Sequence, residues 1–85
     1  MKIDIRYFAG VRETVGFAHE SVYLPGGVAT VGAVRDFLVA RGGAWAKALD
    51  TRRALRMAYA QQMADESTPI AEAGEVAFFP PVTGG

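Results

Sequence analysis

The alternation of apolar and polar side chains in the first eight residues constrains the fold most. One face of this segment is apolar and carries Ile3, Ile5 and Tyr7, and the other carries Lys2, Asp4 and Arg6. A period of two predicts a strand with one buried face and one face in water. Phe8 falls on the polar face, so it is either a core residue turned inward by strand twist or part of an exposed apolar patch.

The next segments predict a short helix, a second strand and the main helix. Val11 and Val15 are four residues apart and Gly16 can end a helix, so one or two helical turns are expected at 9–16. A second strand is expected at 19–24, ended by Pro25-Gly26-Gly27. Thr30 is a suitable N-cap for a helix that ends at Gly42-Gly43. The apolar stripe of that helix is Val31, Val34, Phe37 and Leu38.

The second half of the chain predicts a further helical piece and two strands. Residues 44–49 read as a short helix with Trp45 as a core or satellite anchor, and 55–59 alternate as a third strand. Residues 61–69 are expected to be irregular, followed by a turn at 71–74. The last strand, 76–79, must end before Pro80 and Pro81, because proline has no N–H to donate.

This order of elements predicts an α+β fold in which a small mixed sheet packs on one main helix. We expect one domain over residues 1–80 and a flexible tail over 81–85.

Composition excludes several classes of function. Nine Lys and Arg balance nine Asp and Glu in the 85 residues, which argues against nucleic acid as a main partner. No apolar run suggests an export signal or a membrane span, so a cytoplasmic protein is expected. Cysteine is absent and His19 is the only histidine, so we expect no disulfide, no thiol nucleophile and no Cys or His-pair metal site. No motif for acid–base catalysis is present.

The last eight residues, Phe-Phe-Pro-Pro-Val-Thr-Gly-Gly, predict a reactive arm. A terminal Gly84-Gly85 pair has no turn to make and no helix to cap, and without Cβ it can thread a narrow channel. Pro80-Pro81 would stiffen the base of the arm. The remaining residues from Val82 onward span at most about 14 Å when extended.

These residues resemble a known family. The end, from Gly74 to Gly85, and the opening Tyr-Phe-Ala-Gly-Val-Arg-Glu at 7–13 are similar to the small subunit of molybdopterin synthase. The resemblance implies a ubiquitin-like β-grasp fold and a sulfur carrier without an active site or bound cofactor of its own. Two positions depart from the family pattern: Ala60 stands where an asparagine is usual, and Ala73-Gly74 where Gly-Asp is usual.

The resemblance also implies a mechanism and partners. An adenylating enzyme of the ubiquitin-activating (E1) type would use ATP to activate the carboxylate of Gly85, and a sulfur donor would convert it to a thiocarboxylate. Gly84 would pass through a channel in the large subunit. Sulfur would there reach cyclic pyranopterin monophosphate and build the dithiolene of molybdopterin, in a heterotetramer of two small and two large subunits.

Several residues are predicted to dock on the large subunit. Consecutive strand residues point to opposite faces, so Phe78 is expected inside and Phe79 outside. Met63, expected in a polar loop, is either a patch member or a loop staple. The full predicted docking set is Phe8, Met63, Phe79, Pro80, Pro81, Val82 and Thr83.

Alternative functions and solvated residues stay open at this point. A β-grasp sulfur carrier for thiazole synthesis or for transfer-RNA thiolation, a ubiquitin-like protein modifier, and an interaction module with an inert tail fit the same pattern. Arg12, Glu13, Arg52 and Arg53 receive no role and are expected in solvent, as is His19.

Overall fold

The alternating segment at the start of the chain forms the first strand, β1 (Lys2–Tyr7). The structure is a computed structural model, and it describes residues 1–81. Ile3 and Ile5 have no exposed surface and Tyr7 is 1% exposed, which confirms the predicted buried face. The elements that follow are α1 (Ala9–Val15), β2 (His19–Tyr23), α2 (Val31–Val39), α3 (Gly43–Leu49), β3 (Arg56–Tyr59), β4 (Gln62–Ala64) and β5 (Glu75–Phe79).

The five strands form one mixed sheet in the order β2-β1-β5-β3-β4. β1 and β5 pair in parallel, with Tyr7 opposite Phe78, whereas the other three pairings are antiparallel. Because parallel strands end at the same edge, the residues that follow β1 and those that follow β5 emerge side by side. This pairing positions the candidate site.

The core lies between the sheet and the helices. Thr30 caps α2 as predicted, since its Oγ1 accepts a hydrogen bond from the Ala33 N–H at 3.1 Å. Val31, Val34 and Leu38 from the predicted stripe are fully buried. The two predicted short helical pieces also form: α1 packs on β1 and β5, and α3 packs on α1 and α2.

The prediction that 61–69 is irregular is wrong for 62–64, which form β4 after a two-residue turn. Ala60 and Gln61 have φ of +51° and +66° and connect β3 to β4, whose Tyr59 and Gln62 are paired. Tight hairpins prefer such positive φ at both central residues, usually with Asn-Gly. Ala-Gln carries no such signal, so the sequence pattern missed β4.

The predicted turn before β5 is present and depends on a close approach at Gly74. A Cβ at Gly74 would collide with the ring and hydroxyl of Tyr59, whose Oη accepts a hydrogen bond from the Ala71 N–H at 2.8 Å. The preceding Ala73 has φ of +65°. Ala60 and Ala73, which depart from the family pattern, therefore both adopt the left-handed conformation.

A buried arginine fastens the segment that follows α3. Arg35 is only 3% exposed, yet no carboxylate accepts from it among the described residues. Its guanidinium donates instead to the carbonyl oxygens of Leu49, Asp50 and Arg53 at 2.5 to 3.0 Å. These three carbonyl oxygens lie at and just after the carboxyl end of α3, and they compensate much of the free-energy cost of burying the guanidinium charge. The apolar stripe of α2 in the sequence did not predict that Arg35 would be buried.

We predict that Ala60→Gly stabilises the fold. The left-handed conformation costs an L-residue roughly 1–2 kcal/mol, whereas added backbone entropy in glycine costs roughly 0.5–1 kcal/mol. The net gain in the free energy of unfolding should be about 0.5–1 kcal/mol, measured by urea denaturation.

The matched control is Ala40→Gly, because Ala40 is exposed and has an ordinary helical φ of −65°. This variant should lose about 0.5–1 kcal/mol. Equal destabilisation by both changes would show that Ala60 stores no backbone strain.

Candidate docking surface at the end of the sheet

An aromatic pair lies where β1 and β5 end. The Phe8 and Phe79 rings meet edge to face, with centroids 6.4 Å apart and planes at 88°. The Phe8 N–H donates to the Phe78 carbonyl oxygen at 3.1 Å, which holds the two chain segments together. Phe8 is 45% exposed, so of its two interpretations the surface position is correct. Phe78 has no exposed surface and Phe79 is half-buried, which confirms their opposite orientations.

Met63 lies on the same face of the sheet, in β4 and not in the loop predicted for it. It is paired with Ala58, which in turn is paired with Ala77, two residues before Phe79. Its side chain is 63% exposed. The sheet therefore places three predicted docking residues that are far apart in sequence on one face. We call Phe8, Met63 and Phe79 the apolar patch.

The chain leaves the patch through two prolines. Pro80 is half-buried and Pro81 is exposed, and both follow β5 directly. The predicted tail residues Val82, Thr83, Gly84 and Gly85 lie outside the described residues. The base of the arm is thus adjacent to the apolar patch.

A polar network lies beneath this end of the sheet. The Tyr7 hydroxyl donates to Glu20 Oε2 at 2.6 Å and accepts from Trp45 Nε1 at 3.2 Å. Arg41 Nη1 donates to both Glu20 oxygens at 2.9 and 3.0 Å. The Phe17 ring packs edge-on against both Tyr7 and Trp45, at centroid distances of 5.9 and 6.0 Å. The network ties β1 and β2 to the junction between α2 and α3.

The network shifts the acidity of its members. Burial by itself raises the pKa of Glu20, but hydrogen bonds from Arg41 and Tyr7 outweigh it, and the net pKa lies below its usual value. Burial, together with the bond to Glu20, raises the pKa of the Tyr7 hydroxyl. Sequence alternation predicted a buried Tyr7, but only the folded chain shows that the Glu20 carboxylate accepts the hydrogen bond of its hydroxyl.

The residues without an assigned role lie at the surface. Arg12 and Glu13 are exposed on α1, and His19 is exposed on β2 with Nε2 3.8 Å from Asp4 Oδ1. Arg52 donates to the Asp50 carboxylate, and Arg53 Nη1 donates to the Lys47 carbonyl oxygen at 3.2 Å. Within residues 1–81, none of these five side chains forms a hydrogen bond with Phe8, Met63 or Phe79.

The described residues expose apolar surface at this end of the sheet. Across residues 1–81, no group of three or more His, Cys, Asp and Glu side chains is arranged to hold a metal ion. An open cleft of about 450 Å³ is lined by 55–57 and 64–67 and has no catalytic pair in it. No helix within this range is long and apolar enough to cross a bilayer.

Comparison with known proteins identifies the family. The ThiS family model matches residues 5–85. The chain belongs to the ThiS family. Two of its curated relatives are molybdopterin synthase sulfur carrier subunits, at 39% identity in Escherichia coli and 36% in Haemophilus influenzae. Each match covers 83 residues, 98% of this chain and 99% of the relative.

Solved structures give the fold of this ThiS family member. Small archaeal modifier protein 1 of Haloferax volcanii superposes with a TM-score of 0.74 at 26% identity, covering 95% of this chain and 98% of that one. A chain of the complex of subunits 1 and 2 of the molybdopterin-converting factor of Helicobacter pylori gives a TM-score of 0.66 at 18% identity, over 100% of both chains. The fold is the ubiquitin-like β-grasp, as the resemblance implied.

We predict that Glu20→Gln destabilises the fold in a pH-dependent way. The folded-state pKa of Glu20 is lowered, so its contribution is complete above its unfolded pKa of about 4.3 and is lost as pH falls through the folded value. The variant should lose about 1 kcal/mol at pH 7, because partial solvent exposure weakens the pair, and the difference from wild type should shrink below about pH 4.

An Arg41→Gln background provides the control. Glu20→Gln should cost much less there, since its main partner is absent. An unchanged cost, or a difference from wild type that does not vary with pH, would contradict the assigned coupling. Both quantities come from chemical denaturation at a series of pH values.

Proposed function

We propose that this chain is the sulfur carrier subunit of a molybdopterin synthase and that Gly85 carries the sulfur as a thiocarboxylate. The observation that carries this proposal is the match to sulfur carrier subunits over almost their whole length. The aromatic pair of Phe8 and Phe79 supports it, because partly exposed apolar surface lies beside the residues that lead into the tail.

The chemistry needs two steps before transfer. A carboxylate is a poor electrophile, so an adenylating enzyme first joins it to AMP from ATP and releases pyrophosphate. A sulfur donor then supplies sulfide at the same carbon, AMP leaves, and a thiocarboxylate remains. The chain contains no cysteine to hold sulfur elsewhere.

The large subunit would supply the active site. The tail enters it, and the thiocarboxylate passes its sulfur to cyclic pyranopterin monophosphate. Two such transfers build the dithiolene. This chain is then a co-substrate that needs no cofactor of its own, and the acid–base chemistry would come from the large subunit.

Docking would bury the apolar patch. Phe8, Met63 and Phe79 expose apolar surface that a folded partner can cover, with Pro80 and Pro81 at the entrance to its channel. The Helicobacter pylori neighbour is a complex of subunits 1 and 2, which supports an equivalent large-subunit partner here. We extend this to a heterotetramer with two copies of each subunit.

A second candidate function is protein modification. The likeness to small archaeal modifier protein 1 favours it, because a ubiquitin-like modifier and a sulfur carrier share the same β-grasp scaffold. The two candidates differ in the product after activation. A carrier gains sulfur in place of one terminal oxygen, whereas a modifier forms lasting amide adducts on other proteins. Intact mass after incubation with an adenylating enzyme, ATP and a sulfur donor separates them.

We predict that Phe79→Ala weakens binding to the large subunit with little loss of fold. Truncation of a central aromatic anchor often costs 2 kcal/mol or more, which corresponds to about a 30-fold rise in Kd. Titration calorimetry measures the affinity, and a thermal melt checks the fold.

Two variants serve as controls for Phe79→Ala. Tyr23→Ala removes an aromatic ring that is 77% exposed near the opposite end of the sheet, and it should leave Kd unchanged. Phe78→Ala removes a fully buried ring and should lower stability by about 3–5 kcal/mol. A large melting drop for Phe79→Ala with unchanged Kd would place its ring in the core and not at the interface.

We predict that Gly84→Ala folds normally but transfers sulfur slowly. Its methyl group must enter a channel sized for bare backbone, so single-turnover transfer from a preformed thiocarboxylate should slow by on the order of tenfold or more. Gly10→Ala is the control, because a Cβ there meets no atom within 4 Å. Equal rates for wild type and Gly84→Ala would remove the channel from the mechanism.

We also predict that one residue appended after Gly85 abolishes molybdopterin synthesis and leaves the melting temperature unchanged. The extension moves the reactive carboxylate by one residue length, about 3.5 Å. Synthesis by an extended chain shown by mass to be uncleaved would contradict the tail mechanism.

A further inference from the structure

The arginines of this chain divide into two groups by their partners. Of nine Lys and Arg, two are lysines, which leaves seven arginines. Five of the seven donate to acceptors within the chain: Arg6 to Glu75, Arg35 to three carbonyl oxygens, Arg41 to Glu20, Arg52 to Asp50 and Arg53 to the Lys47 carbonyl. Within residues 1–81, the guanidinium groups of Arg12 and Arg56 have no hydrogen bond and no ion pair.

Both of these arginines border the apolar patch. Arg56 is the cross-strand partner of Phe79 in the antiparallel β3–β5 pair, so their Cβ atoms are about 5 Å apart on the same face. Arg12 lies one turn after Phe8 in α1, and its N–H points to the Phe8 carbonyl oxygen at 3.4 Å. Both side chains are exposed. Among the described residues, the two arginines without a side-chain partner therefore occupy positions next to the aromatic pair, one in β3 and one in α1.

Among the described residues, the neighbouring carboxylates form no ion pair with either arginine. Glu75 is bonded to Arg6 at 3.0 Å. Glu13 follows Arg12 directly, and adjacent helical residues do not face each other. Asp65 and Glu66 line the cleft beside Arg56, but neither carboxylate forms an ion pair with it. Within the described residues, both guanidinium groups therefore keep their hydrogen-bond donors available to a partner.

We propose that Arg12 and Arg56 form a cationic rim around the apolar patch, and that the partner seated on Phe8 and Phe79 presents carboxylates opposite both guanidinium groups. Isolated surface arginines are commonly only solvated. Here both arginines without a partner among residues 1–81 lie next to solvent-accessible aromatic residues, and aromatic residues with arginine are the types enriched in protein interfaces. A guanidinium is weakly hydrated and binds a carboxylate through two parallel hydrogen bonds, so it loses less than an ammonium on desolvation.

The inference rests on the proposed function, because it takes the large subunit as the partner. It adds the chemistry of the partner's surface: an apolar pocket with acidic residues at its edge. Opposite charges at an interface rim act mainly on association, by steering the encounter before contact. The rim therefore sets how fast the carrier finds its partner.

The test is the association rate of the full chain with its cognate large subunit, measured by stopped flow at about 20 mM and about 500 mM salt. Charge reversal by Arg56→Glu or Arg12→Glu should slow association by about tenfold or more at low salt. At high salt the Debye length falls to a few Å, and the difference from wild type should shrink to about twofold. Thermal melts confirm that the variants fold.

Lys2→Glu is the matched control, since it makes the same change in net charge near the opposite end of β1. It should slow association less than about twofold, by its effect on net charge alone. A further variant, Arg56→Lys, keeps the charge but not the paired geometry, so its association rate should be retained and its dissociation should be several-fold faster.

The outcomes separate the two proposals. Wild-type binding with equal slowing by Arg56→Glu, Arg12→Glu and Lys2→Glu would overturn the rim and leave the carrier function standing. Unchanged association for both arginine variants would do the same. Failure of the wild-type chain to bind the large subunit at all would overturn the carrier function and the rim together.

Discussion

The parallel pairing of β1 with β5 is the interaction on which the rest of this structure depends. It joins the first strand of the chain to the last, so folding must close a loop of almost the whole sequence before this pair forms. Once the pair has formed, the centre of the sheet is stabilised by the burial of Ile5, Tyr7, Val76 and Phe78. The same pairing places the ends of both strands at one edge. Phe8 and the base of the tail therefore meet without any dedicated structural element.

Two polar clusters support this arrangement around a small core. Arg35 fastens the segment after α3 through backbone carbonyls, and the cluster of Tyr7, Glu20 and Arg41 fastens the helical layer to the sheet. Buried polar groups of this kind stabilise only when their partners are complete. No buried side-chain nitrogen or oxygen within the described residues lacks a hydrogen bond. These contacts connect β1 and β2 to the helical layer that packs on the sheet.

Under the proposed function, this organisation suits a chain that other proteins bind and modify. The rigid part of the chain presents an apolar patch beside the point where the tail starts, and under the proposed function the chemistry occurs at Gly85, inside a partner. The carrier then needs affinity for its partner and correct placement of the tail more than it needs reactive side chains. A cationic rim would add fast, directed encounter to that affinity, with Arg56 opposite Phe79 and Arg12 one turn after Phe8.

The sequence by itself determined the local features, because these depend on neighbouring residues. The alternation in Lys2–Tyr7, the Thr30 cap and the opposite orientations of Phe78 and Phe79 follow from strand and helix geometry alone, and the structure agrees with all three. The terminal motif and the opening also sufficed to indicate the family. Tertiary structure decided what depends on strand pairing across long sequence distances. The short strand β4 forms although Ala60 and Gln61 carry no turn signal, and pairing with β3 compensates their positive φ. The partner of the Tyr7 hydroxyl, the carbonyls around Arg35 and the meeting of Phe8, Met63 and Phe79 on one face are likewise invisible in a linear pattern, since each joins segments whose proximity exists only after the sheet has formed.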